Sequence, residues 1–244
     1  MTMILVKIGG SIHDKLGEFD IILDADLIVH GGSRYIDELC RRVGLRVEKL
    51  VSPSGIEYRR TTREVLDIYV MAISKINLEI VRYLLSRGVP AIGLTGMDLG
   101  IVRADRKRIV KAYIDGRLRV YRDDYSGRIR HIDTDILERF MDIGVPVIAP
   151  IAYSEGYEPL NIDGDTLAGE ISKALGVDKL VFLTDRALEV DGGIVKVLTS
   201  GEIPGIIGRV SGGMRRKLLV ALDALRSGVG SVEIIGLNGS TVLI

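Results

Sequence analysis

Six short aliphatic runs, "MILVKI", "DLIVH", "PAIGLTG", "VPVIAPI", "KLVFLT" and "SVEIIGL", recur along the chain, several followed by an amphipathic helical pattern. Runs of this length without a polar face read as strands buried on both sides, and strands that alternate with helices read as parallel. The pattern therefore predicts an α/β fold, a mostly parallel sheet with helices on both faces. The longest helix is predicted from about Thr62 to Arg87, with Thr61 as its cap, Glu64 three residues on, and Gly88-Val89-Pro90 as its stop. Two hairpins interrupt the scheme, turning at Asp115-Gly116 and at Asp191-Gly192. A boundary near Pro150, where "VPVIAPI" passes into a polar loop, divides a first lobe, 1–150, from a second, 151–244, within one continuous sheet.

Charge and cysteine content narrow the function classes. Lys plus Arg and Asp plus Glu number 33 each, so no global field favours nucleic acid or an anionic membrane surface. The single cysteine, Cys40, excludes an internal disulfide and a zinc cluster and suits a reducing cytoplasm; in a predicted helix it reads as a buried or indifferent thiol. No basic leader opens the chain, and no apolar run approaches the roughly 18 residues that span a bilayer. A soluble, cytoplasmic protein is expected.

The chemistry-bearing residues collect at the ends of predicted strands. Lys7 precedes Gly9-Gly10 in "VKIGGSI", and Gly31-Gly32 in "VHGGSRYIDEL" leads straight into a helix. Glycine pairs between a strand and a helix N-terminus let the backbone approach an anion closely and aim N–H groups at it. One such pair is ordinary turn chemistry; two, each at the carboxyl end of a strand, point to a ligand edge. Neither G-x-x-x-x-G-K-[ST] nor G-x-G-x-x-G is present, so phosphate would not be held by either of those loops. Gly212-Gly213 precedes the helix of "SGGMRRKLLVALDAL", which by itself reads as an amphipathic helix with solvated Arg215, Arg216 and Lys217. "YRRTT" supplies Arg59, suited to a carboxylate, and "LNIDGD" supplies Asn161, Asp163 and Asp165. A calcium loop is excluded there, because its bidentate Glu position is Ser172. His30 beside its glycine turn reads as structural, and His13 and His131 as surface or local hydrogen-bonding groups. Lys7, Lys217, the glycine pairs and one organising carboxylate are the parts phosphoryl transfer needs, since it relies on positioned cations and backbone donors.

Taken in order, "KIGGS", "VHGGS", "YRRTT", "LNIDGD", "LTD" and "GGMRRK" resemble the amino acid kinase family, in its acetylglutamate kinase branch, over nearly the whole chain. The resemblance implies a three-layer αβα sandwich, an acidic substrate in the first lobe, and ATP with Mg2+ in the second, forming an acyl phosphate. It implies Lys7 and Lys217 as cations flanking the transferred group, with Asp165 organising both. Gly9, Gly10, Gly31 and Gly32 become phosphate and substrate-carboxylate donors, with Gly213 on the phosphate side. Arg59 becomes the clamp on the α-carboxylate, Asn161 a substrate contact, and Asp185 the start of the adenine-side loop. Magnesium is expected on ATP and water, with no protein metal site. Ser33 stands where the second motif has its third glycine, and Asp163 where acetylglutamate kinases often have Asn. "SPSGIEYRRTT", "NIDGD", "ISKALG" and "MRRKLL" look closer to kinases acting on aminoadipate or glutamate attached to a small acidic amino-group carrier protein. The closing "SVEIIGLNGSTVLI" is shorter than the family's usual connection before its last strand.

A charge count independent of the resemblance points the same way. Arg103, Arg106, Lys107, Arg108, Lys111, Arg117, Arg119, Arg122, Arg128 and Arg130 face only Asp105, Asp115, Asp123 and Asp124 in that segment, a net of +6 in a neutral protein. Such a lip suits an acidic carrier; the bland alternative is a hairpin balanced by acids elsewhere in the fold. Two further readings stay open: an acetylglutamate kinase using the free metabolite, and a non-catalytic nucleotide-binding regulator. The apolar long helix and family habit favour a homodimer.

Overall fold

The computed structural model describes residues 2–53, 55–114 and 117–244. Strand β1 (Ile4–Ile8) lies inside an eight-stranded sheet whose other members are β2 (Leu27–His30), β5 (Ala91–Thr95), β10 (Val145–Ala149), β13 (Lys179–Leu183), β16 (Val197–Leu198), β17 (Ser231–Gly236) and β18 (Gly239–Leu243). The order is β16-β18-β17-β13-β1-β2-β10-β5. The run from β5 to β17 is parallel throughout, and it consists of the six strands predicted from the aliphatic runs. Strand β18 turns back antiparallel on β17 through Leu237-Asn238.

Alternate residues of these strands feed two cores. Val6, Ile8, Ile28, Val147 and Val181 pack with Ile76, Ile80 and Leu84 of α2 (Arg63–Ser86) on one face, where α1 (Ser33–Arg42) also lies against α2. On the other face Leu5, Val29, Ile148, Phe182 and Ile234 pack with α3 (Thr134–Met141), α4 (Gly164–Leu175), α5 (Ile203–Ile207) and α6 (Gly212–Arg226). Each such side chain contributes about 1.5 to 3 kcal/mol when fully buried. The result is the αβα sandwich expected of the sequence. Lys7 has the parity of Leu5 and so points to the α4 and α6 side.

Two small sheets flank the cleft edge. One joins β12 (Pro159–Asn161), β11 (Ile151–Tyr153), β6 (Val102–Arg106) and β9 (Gly127–Ile132); the other joins β4 (Glu57–Arg59), β3 (Lys49–Val51), β7 (Ile109–Ile114) and β8 (Arg117–Arg122). "VPVIAPI" is thus not one strand: at Pro150 the chain leaves the central sheet as β10 and enters the second as β11. The predicted turn at Asp115-Gly116 lies outside the described residues, while β7 and β8 on either side pair antiparallel. The other predicted hairpin is present as β14 (Glu189–Val190) and β15 (Gly193–Ile194), with φ of 52° at Asp191 and 80° at Gly192, the positive pair that a type I′ turn requires.

The long helix starts one residue later than predicted. Thr62, not Thr61, is the N-cap, its hydroxyl accepting from Val65 N at 3.4 Å. Thr61 is fully buried, and its hydroxyl accepts from Asn161 Nδ2 at 2.8 Å. Cys40 is buried in α1, and no described helix is long and apolar enough to cross a membrane.

Candidate active site

Parallel register builds the site. Lys7 lies opposite Phe182 of β13 and Val29 of β2, so the loops leaving β1, β2 and β13 emerge side by side at one carboxyl edge of the sheet. Those loops carry Gly9-Gly10, Gly31-Gly32 and Asp185, and the N-termini of α4 and α6 meet the same edge. A cleft of about 950 Å³ opens there. Its walls include Lys7, Gly9, Gly10, Gly31, Gly32, Arg59, Asn161, Asp165, Asp185, Gly213 and Lys217, bringing together every site residue expected from the sequence.

At its centre Asp165 lies between two lysines. Its Oδ1 forms an ion pair with Lys7 Nζ, while its Oδ2 accepts from Lys217 Nζ at 3.1 Å. All three are nearly closed to solvent, with exposures of 6% for Lys7, 4% for Asp165 and 7% for Lys217. Burial alone would push the Asp165 carboxyl up, but Lys217 and Lys7 outweigh it and hold it well below the usual carboxylate range. Burial pushes the Lys7 ammonium down; Asp165 opposes that shift and Lys217 adds to it. The cluster carries one net positive charge in a dry place, a setting that favours a further anion.

The two glycine turns meet across this centre. A Cβ on Gly10 would fall 2.5 Å from Ser33 N and 2.8 Å from Gly32 N, so no larger residue fits without moving backbone. The four expected glycine donors are not equivalent. Gly9 N donates to Leu183 O and Gly31 N to Ile8 O, both at 2.9 Å, whereas the N–H groups of Gly10 and Gly32 have no partner among the described residues. The unpartnered donors among the four are thus those of Gly10 and Gly32, beside the start of α1.

On the other wall Arg59 is held in place by protein contacts. It forms an ion pair with Asp37 and donates to Ser33 O at 3.1 Å. Asp163 is the N-cap of α4, accepting from Thr166 N at 2.9 Å. His30 is fully buried, with Nδ1 near Gly31 O and Nε2 near Asn77 Nδ2; burial lowers its pKa to about 4, so it is a neutral structural group.

The wall also holds residues that the sequence places on a solvated helix face or in the basic segment, and one, Tyr69, that it does not mark. Arg216 lies here, paired with Asp163, although its position suggested a solvated side chain. Its place immediately before Lys217, in the first turns of a helix that enters the site, was the available signal. Lys107 and Arg128 line the same wall with no carboxylate at ion-pair distance among the described residues, although Asp124 and Asp163 act on Lys107 from further off; Tyr69 lines it too, its hydroxyl donating to Pro150 O at 2.8 Å. Of the ten cations between 103 and 130, only Arg106 and Arg130 have such a partner among the described residues.

The profile described as the amino acid kinase family matches residues 2–236. The chain belongs to the amino acid kinase family. A relative from Saccharolobus islandicus (strain L.S.2.15 / Lassen #1) named LysW-aminoadipate/LysW-glutamate kinase is 38% identical over 241 residues, covering 95% of this chain and 91% of its own. A relative from Pyrococcus abyssi (strain GE5 / Orsay), provisionally given the same name, is 45% identical over 245 residues, 99% of this chain and 100% of its own. Among solved structures, smu.665 from Streptococcus mutans UA159 shares the fold with a TM-score of 0.81 at 26% identity, covering 99% of this chain and 98% of that one. As an amino acid kinase, the chain carries its lysine–carboxylate centre at the carboxyl edge of a parallel sheet, where α/β folds collect ligands.

Proposed function

We propose that this amino acid kinase transfers the terminal phosphoryl group of ATP to the side-chain carboxylate of aminoadipate, glutamate or both, the amino acid being attached to an amino-group carrier protein. The observation that carries the reading is Asp165 bridging Lys7 and Lys217 beneath the Gly10 and Gly32 cradle, in a chain matched end to end by relatives named for that activity. When bound, ATP supplies the phosphoryl group, and Mg2+ on its phosphates neutralises part of their charge. The residues present fit such a group: two buried ammonium groups, a glycine turn at Gly10 that backbone closes to any Cβ, and a net positive centre. Lys7 and Lys217 orient it and stabilise charge that develops during transfer, from positions already fixed by Asp165. Asp165 does not act as a base, since the acceptor carboxylate has no proton to lose at neutral pH. Arg59 and Asn161 hold the acceptor; Gly213 and Asp185 lie on the nucleotide side. No group of three or more His, Cys, Asp or Glu among the described residues is arranged to hold a metal, and we place Mg2+ on phosphate and water.

Residues 1–150 form the acceptor lobe in this reading and 151–244 the nucleotide lobe. Lys107 and Arg128 on the cleft wall, with the unpaired cations of β7 and β8, support an acidic macromolecular acceptor; a free metabolite needs no such lip. The exposed Met71, Leu78 and Leu85, spaced a heptad apart on α2, support a homodimer, and the lone buried Cys40 suits the cytoplasm. Incubation with ATP, Mg2+ and hydroxylamine tests the function. Hydroxamate should form from the carrier-linked acceptor; hydroxamate from free acetylglutamate alone would replace this reading with that of an acetylglutamate kinase, and none from either would leave a nucleotide-binding regulator.

A further inference from the structure

Consecutive residues of α6 hold alternate acids at the entrance of α4. Lys217 takes Asp165, and Arg216 Nη1 donates to Asp163 Oδ2 at 2.5 Å. The other oxygen of Asp163 accepts from Thr166 N and Thr166 Oγ1, both at 2.9 Å, so one carboxylate caps α4 and receives the guanidinium together. The second arm of Arg216, Nη2, donates to the carbonyl of Glu57 in β4, two residues before Arg59. Arg215 leans on the same hairpin, where a Cβ added at Gly55 would come 3.1 Å from its Nη1. The Arg216 side chain is only 20% exposed, and a planar fork with two arms is the group that can hold a carboxylate and a carbonyl at once.

We propose that Arg216 is a positioning residue that ties the β3–β4 hairpin, and with it Arg59, to the lysine–carboxylate centre. The inference rests on the reading above, in which β4 serves the acceptor and α4 with α6 serve the phosphoryl group. Its consequence is directional. A residue on the nucleotide-side helix shapes the acceptor side, while the Lys217 to Asp165 contact next to it does not depend on the hairpin. Loss of Arg216 therefore loosens the acceptor wall and leaves the phosphate contacts standing.

Arg216→Ala and Arg216→Lys in the full chain test this. Arg216→Ala should raise KM for the acceptor about tenfold or more while KM for ATP stays within about twofold, and Arg216→Lys, able to keep one partner, should recover part of the loss. Equal rises in both constants, or no rise in either, would overturn the assignment. Amide hydrogen exchange reads the same coupling without turnover. Amides of residues 55–59 should exchange about tenfold faster or more in Arg216→Ala, with α4 and α6 keeping their protection. Unchanged exchange in the hairpin rejects the coupling even if activity falls. A wild-type chain that phosphorylates no carboxylate defeats the reading of the cleft, and the exchange experiment still decides the role of Arg216.

Discussion

Asp165 is surrounded by charge that it must balance, and its removal would leave two buried ammonium groups facing each other. Breaking a buried ion pair from one side is destabilising by about 3 to 5 kcal/mol, so Asp165 variants confound catalysis with stability. Lys217→Met is the cleaner probe, because Lys7 and Asp165 remain a neutral pair. It should lower kcat by about 10²- to 10³-fold, the scale of losing one preorganised donor at a developing charge, with a melting curve close to wild type. His30 gives a prediction in pH. Its folded pKa, lowered to about 4 by burial, lies below the unfolded value near 6.5, so the unfolded chain binds more protons between those limits. The resulting stability is fully present above pH 6.5 and is lost on acidification toward pH 4, about 3 kcal/mol in all. In His30→Gln that part of the acid sensitivity should be absent from denaturant melts taken across the window.

The β3–β4 hairpin and the start of α2 show how neighbouring residues divide between structure and site. Thr62 caps α2 and Thr61 faces Asn161, so Thr62→Ala should lower stability by about 1 kcal/mol without changing KM for the acceptor. Thr61→Ala should raise that KM while the melting midpoint moves less. Steady-state kinetics beside thermal melts separates the two, and the reverse pattern would return the cap to Thr61. The sequence could not decide this, because adjacent threonines before an apolar helix are equally good caps, and the choice is set by Asp124, which accepts from Thr61 N across the fold. The six parallel strands were legible because burial on both faces leaves an unbroken aliphatic run. In the two small sheets only the antiparallel pairing of β7 with β8 was legible: β3, β4, β6 and β9 are short or half-exposed and alternate with charge. Glycine pairs at strand ends marked Lys7, and the resemblance of the ordered motifs singled out Asp165 and Lys217, whereas the Arg216 to Glu57 contact runs to a backbone carbonyl and leaves no trace in side-chain chemistry.

At the scale of the molecule, the charge is balanced overall and uneven locally. Arg106 is not part of the free lip, since it packs over the Tyr125 ring at 3.5 Å and reaches Glu158. Neutralising Lys107, Arg108 and Lys111 together should therefore raise KM for the carrier-linked acceptor several-fold at low salt, with the difference shrinking as salt rises. Initial rates at two ionic strengths check this, and an unchanged KM at low salt would assign those cations to solvation alone. The order of strands in the central sheet has a consequence for synthesis. Lys7 is made among the first residues, its neighbour β13 and the partner Asp165 much later, and Lys217 near the end. Pairings of such long sequence separation form late in folding, so a chain emerging from the ribosome holds Lys7 well before the carboxylate and the second lysine that complete the cluster. Until α6 docks, the nascent chain has no second lysine to set against Asp165.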